Sequence, residues 1–529
     1  MKARPFLTTL IAVLTALLLL TAGLLWGMDR RSPLRLAEQP LQLPRAARFM
    51  PLDADLTLHW LVDPARVPAY VQAVAPPSER RAARDGARLW RDGLFALAGL
   101  DFDNELASWI GPELSLTLID AGQNRDLPGW VLALSSRDRD GARRFLQRFW
   151  QTRSFAGTDL RVSSYRGVGV ISGRGALLGR DPQPLATALI DDELLLLGSG
   201  RGVLETALDV SQFQDQHQLG NQQLQLQLGQ LGEGAAVLTA SPRALKRWLQ
   251  LPAAVADRQD LNGLVASLQP QGADLNVEAL LQFEAGLDGT PWREPVDLIS
   301  DAGGRTVWLS LLQDPARLLD PEDPHPFSQW FGPLLDQQVQ QRPATEAIAA
   351  ADDGPLLWLE QAGGWLLASG SGHPEMTLVD QQLARDGLSR SELNDEGEPL
   401  QVWTRLERRR GRADGLEAKL ALASVEESAQ TWWGASLELL HQRLDRRALK
   451  PRLIQWQRLK ADHQPSQALL LAADPAKQVM ARWRPWTLLQ ALSGQPLQPR
   501  VHGLVLGVEA DRQDGDQTVI PLHARLEFG

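Results

Sequence analysis

"LTLHWLVDPARV", residues 56–67, decides how the chain reads: a strand-like apolar run, then Asp63 and Pro64, then small and basic residues. The carboxylate of Asp63 suits the free N–H groups of a helix start, and Pro64 at a first helical position gives up no hydrogen bond. The same junction recurs in "AVLTASPRALKRWL" (236–249), "TVWLSLLQDPARLL" (306–319) and "QALLLAADPAKQVM" (467–480). Ser241, Asp314 and Asp474 are the corresponding caps, with Pro242, Pro315 and Pro475 behind them. The intervals are unequal, so the pattern is internal duplication and not a solenoid of fixed period.

A second repeated feature points the same way. "DDELLLLGSGRGVLETALD" (191–209) has a partner in "AGGWLLASGSGHPEMTLVD" (362–380), each a strand, then Gly-Ser-Gly, then a helix-like segment. "GWVLALSSRDRDGARRFLQRF" (129–149) is a further strand-then-helix passage with Asp138 as its cap. The last third reads as hairpins around polar, glycine-bearing turns. The expected fold is α+β: an N-terminal transmembrane helix followed by duplicated strand-to-helix modules with largely antiparallel sheets.

The expected spanning segment is 5–28, "PFLTTLIAVLTALLLLTAGLLWGM", which carries no charge. About 20 apolar residues cross a bilayer core, so it reads as an uncleaved anchor; a cleaved signal peptide is the competing reading. Residues 1–31 are then the anchor and 32–44 a tether. Three α+β bodies follow at 45–211, 232–390 and 396–529, the first two separated by a glutamine-rich linker at 212–231. The body is expected outside the cytoplasm.

Composition narrows the function classes. The 529 residues are 44% hydrophobic and 22% charged, an ordinary globular balance. A net charge of −10 supplies no positive field for nucleic acid, so no nucleic-acid partner is expected. There are no cysteines, which excludes disulfides and thiolate chemistry. The eight histidines show no H-x-H or H-E-x-x-H spacing, so no metal site and no cofactor are expected.

Three stretches carry a resemblance: "MPLDADLTLHWLVDP" (50–64), "LDFDNELASWIGPELSLTL" (100–118) and "DDELLLLGSG" (191–200). Together they resemble a family of membrane-anchored cyanobacterial proteins classed as a domain of unknown function. The resemblance implies placement in the plasma or thylakoid membrane of a photosynthetic bacterium, and it brings no catalytic residues.

Motif by motif, chemistry is sparse. Gly198, Gly200 and Gly202 miss the G-x-G-x-x-G spacing of a dinucleotide loop, and tight turning accounts for them. Glu322, Asp323 and His325 gather in a proline-rich loop without metal-ligand spacing. Basic clusters are the better lead. Arg80, Arg84, Arg88 and Arg91 fall on one helical face, and Arg408, Arg409, Arg410 and Arg412 crowd a hairpin tip. Either cluster suits an anionic surface such as lipid headgroups, against the plainer reading of a solvated face. Eighteen tryptophans against two tyrosines read mostly as core, with an apolar-ligand platform as the sharper alternative.

No catalytic constellation emerges, so no enzyme is expected. The first expectation is a non-enzymatic binding, scaffold or assembly factor of the envelope or thylakoid, whose partners are the membrane through its single span and another envelope protein or anionic lipid. A carrier of lipid or another apolar ligand is the alternative, and a hydrolase with an unrecognised site the third. An apolar cavity walled by Trp and Leu is the feature that favours the carrier.

Overall fold

The computed structural model describes residues 32–528 apart from 37, 98, 120–128, 156, 176–182, 249, 285, 288–291, 293–294, 341, 362, 371, 396, 409–415, 428–429, 484–485, 488–489 and 491–499. The first half runs β1 (Leu56–Trp60), α1 (Val67–Val74), α2 (Arg80–Leu97), β2 (Ile110–Ile119), β3 (Gly129–Ser136), α3 (Arg139–Phe155), β4 (Arg161–Tyr165), β5 (Val168–Gly175), β6 (Gln183–Ile190) and β7 (Leu194–Gly198). It continues with α4 (Arg201–Val210), α5 (Gln222–Leu231), β8 (Ala236–Ala240), α6 (Pro242–Trp248), α7 (Ala253–Ala256), β9 (Leu261–Gln271) and β10 (Asp274–Phe283).

The second half repeats that plan. Its elements are β11 (Trp308–Leu312), α8 (Pro315–Leu318), α9 (Pro326–Val339), α10 (Pro343–Ala350), β12 (Leu356–Gln361), β13 (Gly364–Gly370), α11 (Met376–Arg385), β14 (Ser389–Asp395), β15 (Glu398–Arg408), β16 (Leu416–Glu427) and β17 (Gln430–Gly434). Then come α12 (Leu437–His441), α13 (Arg446–Asp462), β18 (Gln467–Ala472), α14 (Ala473–Arg482), β19 (Val501–Val508), β20 (Arg512–Asp514) and β21 (Gln517–Phe528).

Among the described residues every strand pairing is antiparallel. In space the first half reads β4-β5-β6-β7-β3-β2-β1-β8-β9-β10. The second reads β14-β15-β16-β17-β13-β12-β11-β18-β19-β21, the same order in matching elements. The halves meet where β10 pairs with β21 from Leu275↔Leu526 to Phe283↔Thr518, and β20 folds back on β21 as a hairpin.

The expected fold class is corrected on two points. A single antiparallel sheet of 21 strands with helices replaces separate sheets. The pairing that fuses it joins strands more than 200 residues apart, a non-local choice that leaves no local pattern. The expected spanning helix at 5–28 lies outside the described residues, and among the described residues no helix is long and apolar enough to cross a membrane. The architecture therefore rests on the sheet.

The repeated junctions differ in detail. Ser241 caps α6 by accepting from the Ala244 N–H at 3.3 Å, and Asp314 caps α8 by accepting from Arg317 at 3.0 Å. Asp63 instead accepts from the Ala65 N–H inside a turn, and α1 starts four residues after Asp63, at Val67. Asp474 sits within the first turn of α14, whose cap position is Ala472. Where Gly-Ser-Gly feeds α4, Gly200 holds φ +131°, a conformation that a Cβ disfavours.

Two apolar layers sandwich the first half. On one face Val131, Ala133, Ala186 and Leu196 pack under α4 and Met50; on the other Leu134, Leu185 and Leu195 pack under Phe145, Phe149 and Trp150 of α3. In the second half Leu356, Trp358, Trp365 and Leu367 are sealed by Val339 of α9 and Ile348 of α10.

Candidate functional site

Burial along β1 and β2 runs against the usual rule. Thr57 and His59 are fully buried, whereas Leu58 and Trp60, which alternate with them, are half-buried. The next strand does the same: Ser115 and Thr117 are buried, and Leu114, Leu116 and Leu118 are half-buried. On β3 the half-buried residues are Trp130 and Leu132. Leu58 stands opposite Leu116, and Leu116 opposite Leu132, so these side chains form a continuous apolar floor.

Over that floor lies a cleft of about 320 Å³, walled by Pro64 and Val67 on one side and by Trp90, Arg91, Leu94 and Phe95 of α2 on the other. That volume is at the small end of the roughly 300–1,000 Å³ range of ligand pockets. Trp60 and Trp90 face each other at 6.3 Å between ring centres. The buried indole N–H of Trp60 has no partner among the described residues.

Among the described residues of the wall Arg91 is the one charge, and it is neutralised. Its guanidinium donates to Asp92 and to Asp103, each at 2.7 Å, and lies 3.8 Å over the Phe102 ring. Arg91 is therefore not part of a surface stripe; it ties α2 to the 102–106 turn. Arg80, Arg84 and Arg88 are exposed on α2. Arg409, Arg410 and Arg412 lie outside the described residues, and Arg408 is described only as the end of the β15 backbone.

The opposite face of the same strands is a closed polar network. Thr57 and Thr117 share a hydrogen bond of 2.8 Å, and His59 Nδ1 bonds the Ser115 hydroxyl at 2.7 Å. Gln218, from the segment expected as a surface linker, is buried there and donates to Thr57, Thr239 and the Pro51 carbonyl. Burial pushes the His59 imidazole down to about 4, against the Gln218 bond that favours the charged ring.

Other clusters resolve into structure. Asp323 holds Arg317 at 2.9 Å, and His325 turns to cap α9. Glu193 takes Arg45 and Arg139, and Asp192 takes Arg143. One cluster was invisible in the sequence. Glu278, His463 and His523, from three distant segments, bring potential ligand atoms within 4.8 Å of one another. Burial lowers the pKa of His523, but Glu278 and Glu509 outweigh it and raise the ring to about 9.

A family model described as "Protein of unknown function (DUF3352)" matches residues 9–308. The chain belongs to that family. The match ends at Trp308, the first residue of β11, so it takes in the whole first half and every residue of the cleft. No curated protein matches the chain. Among solved structures it is similar to two titled "Structure of crystal form I of TP0453" and "Structure of crystal form III of TP0453". These share 8% and 9% identity, TM-scores of 0.28 and 0.26, and cover 47% of this chain and 83% of theirs.

Proposed function

We propose that the first half binds an apolar ligand of the lipid class in the cleft beneath α2, and that the protein is a non-enzymatic carrier. One observation carries the reading: leucines and tryptophans on one face of β1–β3 are left half-open, while on β1 and β2 the polar residues between them are buried. Hydrophobic burial favours the reverse by about 25 cal/mol per Å², so an open apolar floor under a helix is a surface kept for an occupant. The corresponding face of the second half is filled by its own side chains, with Trp358 and Leu356 almost fully buried. The same plan without a cleft shows that the fold does not require one.

The lining favours an acyl, isoprenoid or fused-ring ligand, because only Arg91 is charged there and both of its carboxylate partners are in place. A cyanobacterial source, which the resemblance implies, makes an envelope or thylakoid lipid the natural ligand to try. The test is titration of the purified protein with cis-parinaric acid, read by energy transfer from the tryptophans, of which Trp60, Trp90 and Trp130 line the cleft. Saturable one-to-one binding that is abolished in Leu116→Glu and kept in the exposed control Arg84→Glu supports the carrier. Absence of binding, or equal binding by Leu116→Glu, overturns it.

A further inference from the structure

We infer that Glu278, His463 and His523 form a site for a divalent metal ion of the zinc class, with Glu509 orienting both imidazoles from behind. Glu278 and His523 are directly opposed across the β10–β21 seam. His463 follows the end of α13, and Glu509 follows β19. His523 Nδ1 is hydrogen-bonded directly to the Glu278 carboxylate, and His463 Nε2 lies 3.4 Å from its other oxygen. Two ligands of a tetrahedral zinc ion, each about 2.0–2.2 Å from the metal, are themselves ~3.3 Å apart. The His463–Glu278 separation already has that span.

The far side of each ring completes the pattern. His523 Nε2 lies 3.2 Å and His463 Nδ1 3.7 Å from the same Glu509 oxygen. Metal-bound imidazoles characteristically turn their other nitrogen to a carboxylate, which fixes ring orientation and tautomer. The rings stack at 3.5 Å between centres and 23° between planes, so one imidazole swings out of the stack when both ring nitrogens meet at a single ion. Two neutral rings tolerate that contact; two imidazolium ions repel. One divalent ion with two neutral imidazoles balances both carboxylates, leaving no net charge in a mostly buried seam. Three protein ligands leave a fourth position for water, and bound metal would tie the two halves of the sheet together.

The experiment uses the full chain, stripped with chelator and titrated with Zn²⁺ and separately with Co²⁺. The expected result is one tightly bound equivalent, a visible d–d absorption for the Co²⁺ form, and a rise in Tm that saturates at one equivalent. His463→Ala, at a partly exposed position, should lose that equivalent while keeping the wild-type circular dichroism spectrum. Glu509→Gln should keep the stoichiometry and weaken affinity by about 10- to 100-fold. Failure of the wild type to retain either metal, or equal affinity in wild type and His463→Ala, overturns the assignment.

Discussion

Gln218 reaches out of the glutamine-rich segment and accepts a hydrogen bond from His59, its Oε1 2.9 Å from the ring Nε2. The amide orientation follows from its other bonds, since Gln218 Nε2 donates to Thr57 and Thr239. His59 is thereby fixed as the neutral tautomer protonated at Nε2, with Nδ1 accepting from Ser115. Its folded pKa of about 4 lies below the ordinary histidine value of 6.5, so the unfolded chain binds more protons between those values. The stability it confers is fully present above pH 6.5 and is lost as pH falls toward 4, by about 3 kcal/mol in all. Urea midpoints measured from pH 7.5 to 4.5 should fall more steeply for the wild type than for His59→Gln. Parallel curves would falsify the assignment.

Asp352 acts in the opposite sense. It is fully buried, one carboxylate oxygen accepts from Gly354 at 2.9 Å, and the other has no partner among the described residues. Burial raises its pKa to about 7 from 3.8. The folded state therefore holds the extra proton, and its stability contribution is lost as pH rises through that window. Asp352→Asn should stabilise the protein at pH 8 by up to about 4 kcal/mol and change little at pH 4. An unchanged midpoint at pH 8 rules out the buried charge.

Truncations should separate cleft from core. Leu359, fully buried in β12, should cost about 2–5 kcal/mol as Leu359→Ala. Leu116→Ala removes the same atoms from the half-open floor, leaves no enclosed cavity, and should cost less than about 1.5 kcal/mol. Chemical denaturation of the ligand-free protein gives both numbers. Equal losses would mean that the floor is packed in solution.

The Gly-Ser-Gly junction offers two neighbouring glycines with opposite expectations. Gly200→Ala forces a side chain to φ +131° and should destabilise by about 1 kcal/mol or more. Gly202 is exposed in the first turn of α4, and an added Cβ meets nothing within 4 Å. Gly202→Ala should stabilise by about 0.4–1 kcal/mol through the unfolded chain. Melting temperatures of the two variants should move in opposite directions.

Much of the local structure was legible, and the reason is local chemistry. Ser241 and Asp314 cap helices because serine and aspartate before proline have few alternatives, and the 511–517 turn is a hairpin because its glycine and aspartates favour one. Asp63 shows the limit: the same dipeptide closes a turn, and Val67 starts the helix. What periodicity cannot say is which face of a strand is covered. "LTLHW" announces two faces, but that the threonine–histidine face is the buried one depends on Gln218, some 160 residues away. The cleft was therefore hidden in a readable strand. The Glu278–His463–His523 cluster was hidden for the same reason, since its members come from three segments and share no spacing.

The seam between β10 and β21 also orders events in time. β21 is the last strand along the described chain, yet it lies at the centre of the sheet, flanked by β10 and β19. Until residues 517–528 are in place, β10 and β19 both present unpaired edges, the type of surface that recruits strands from other molecules. A ribosome could release a finished first half long before its neighbour is able to dock. Loss of the last dozen strand residues would then act less like trimming a tail than like removing a keystone, with aggregation as its first symptom.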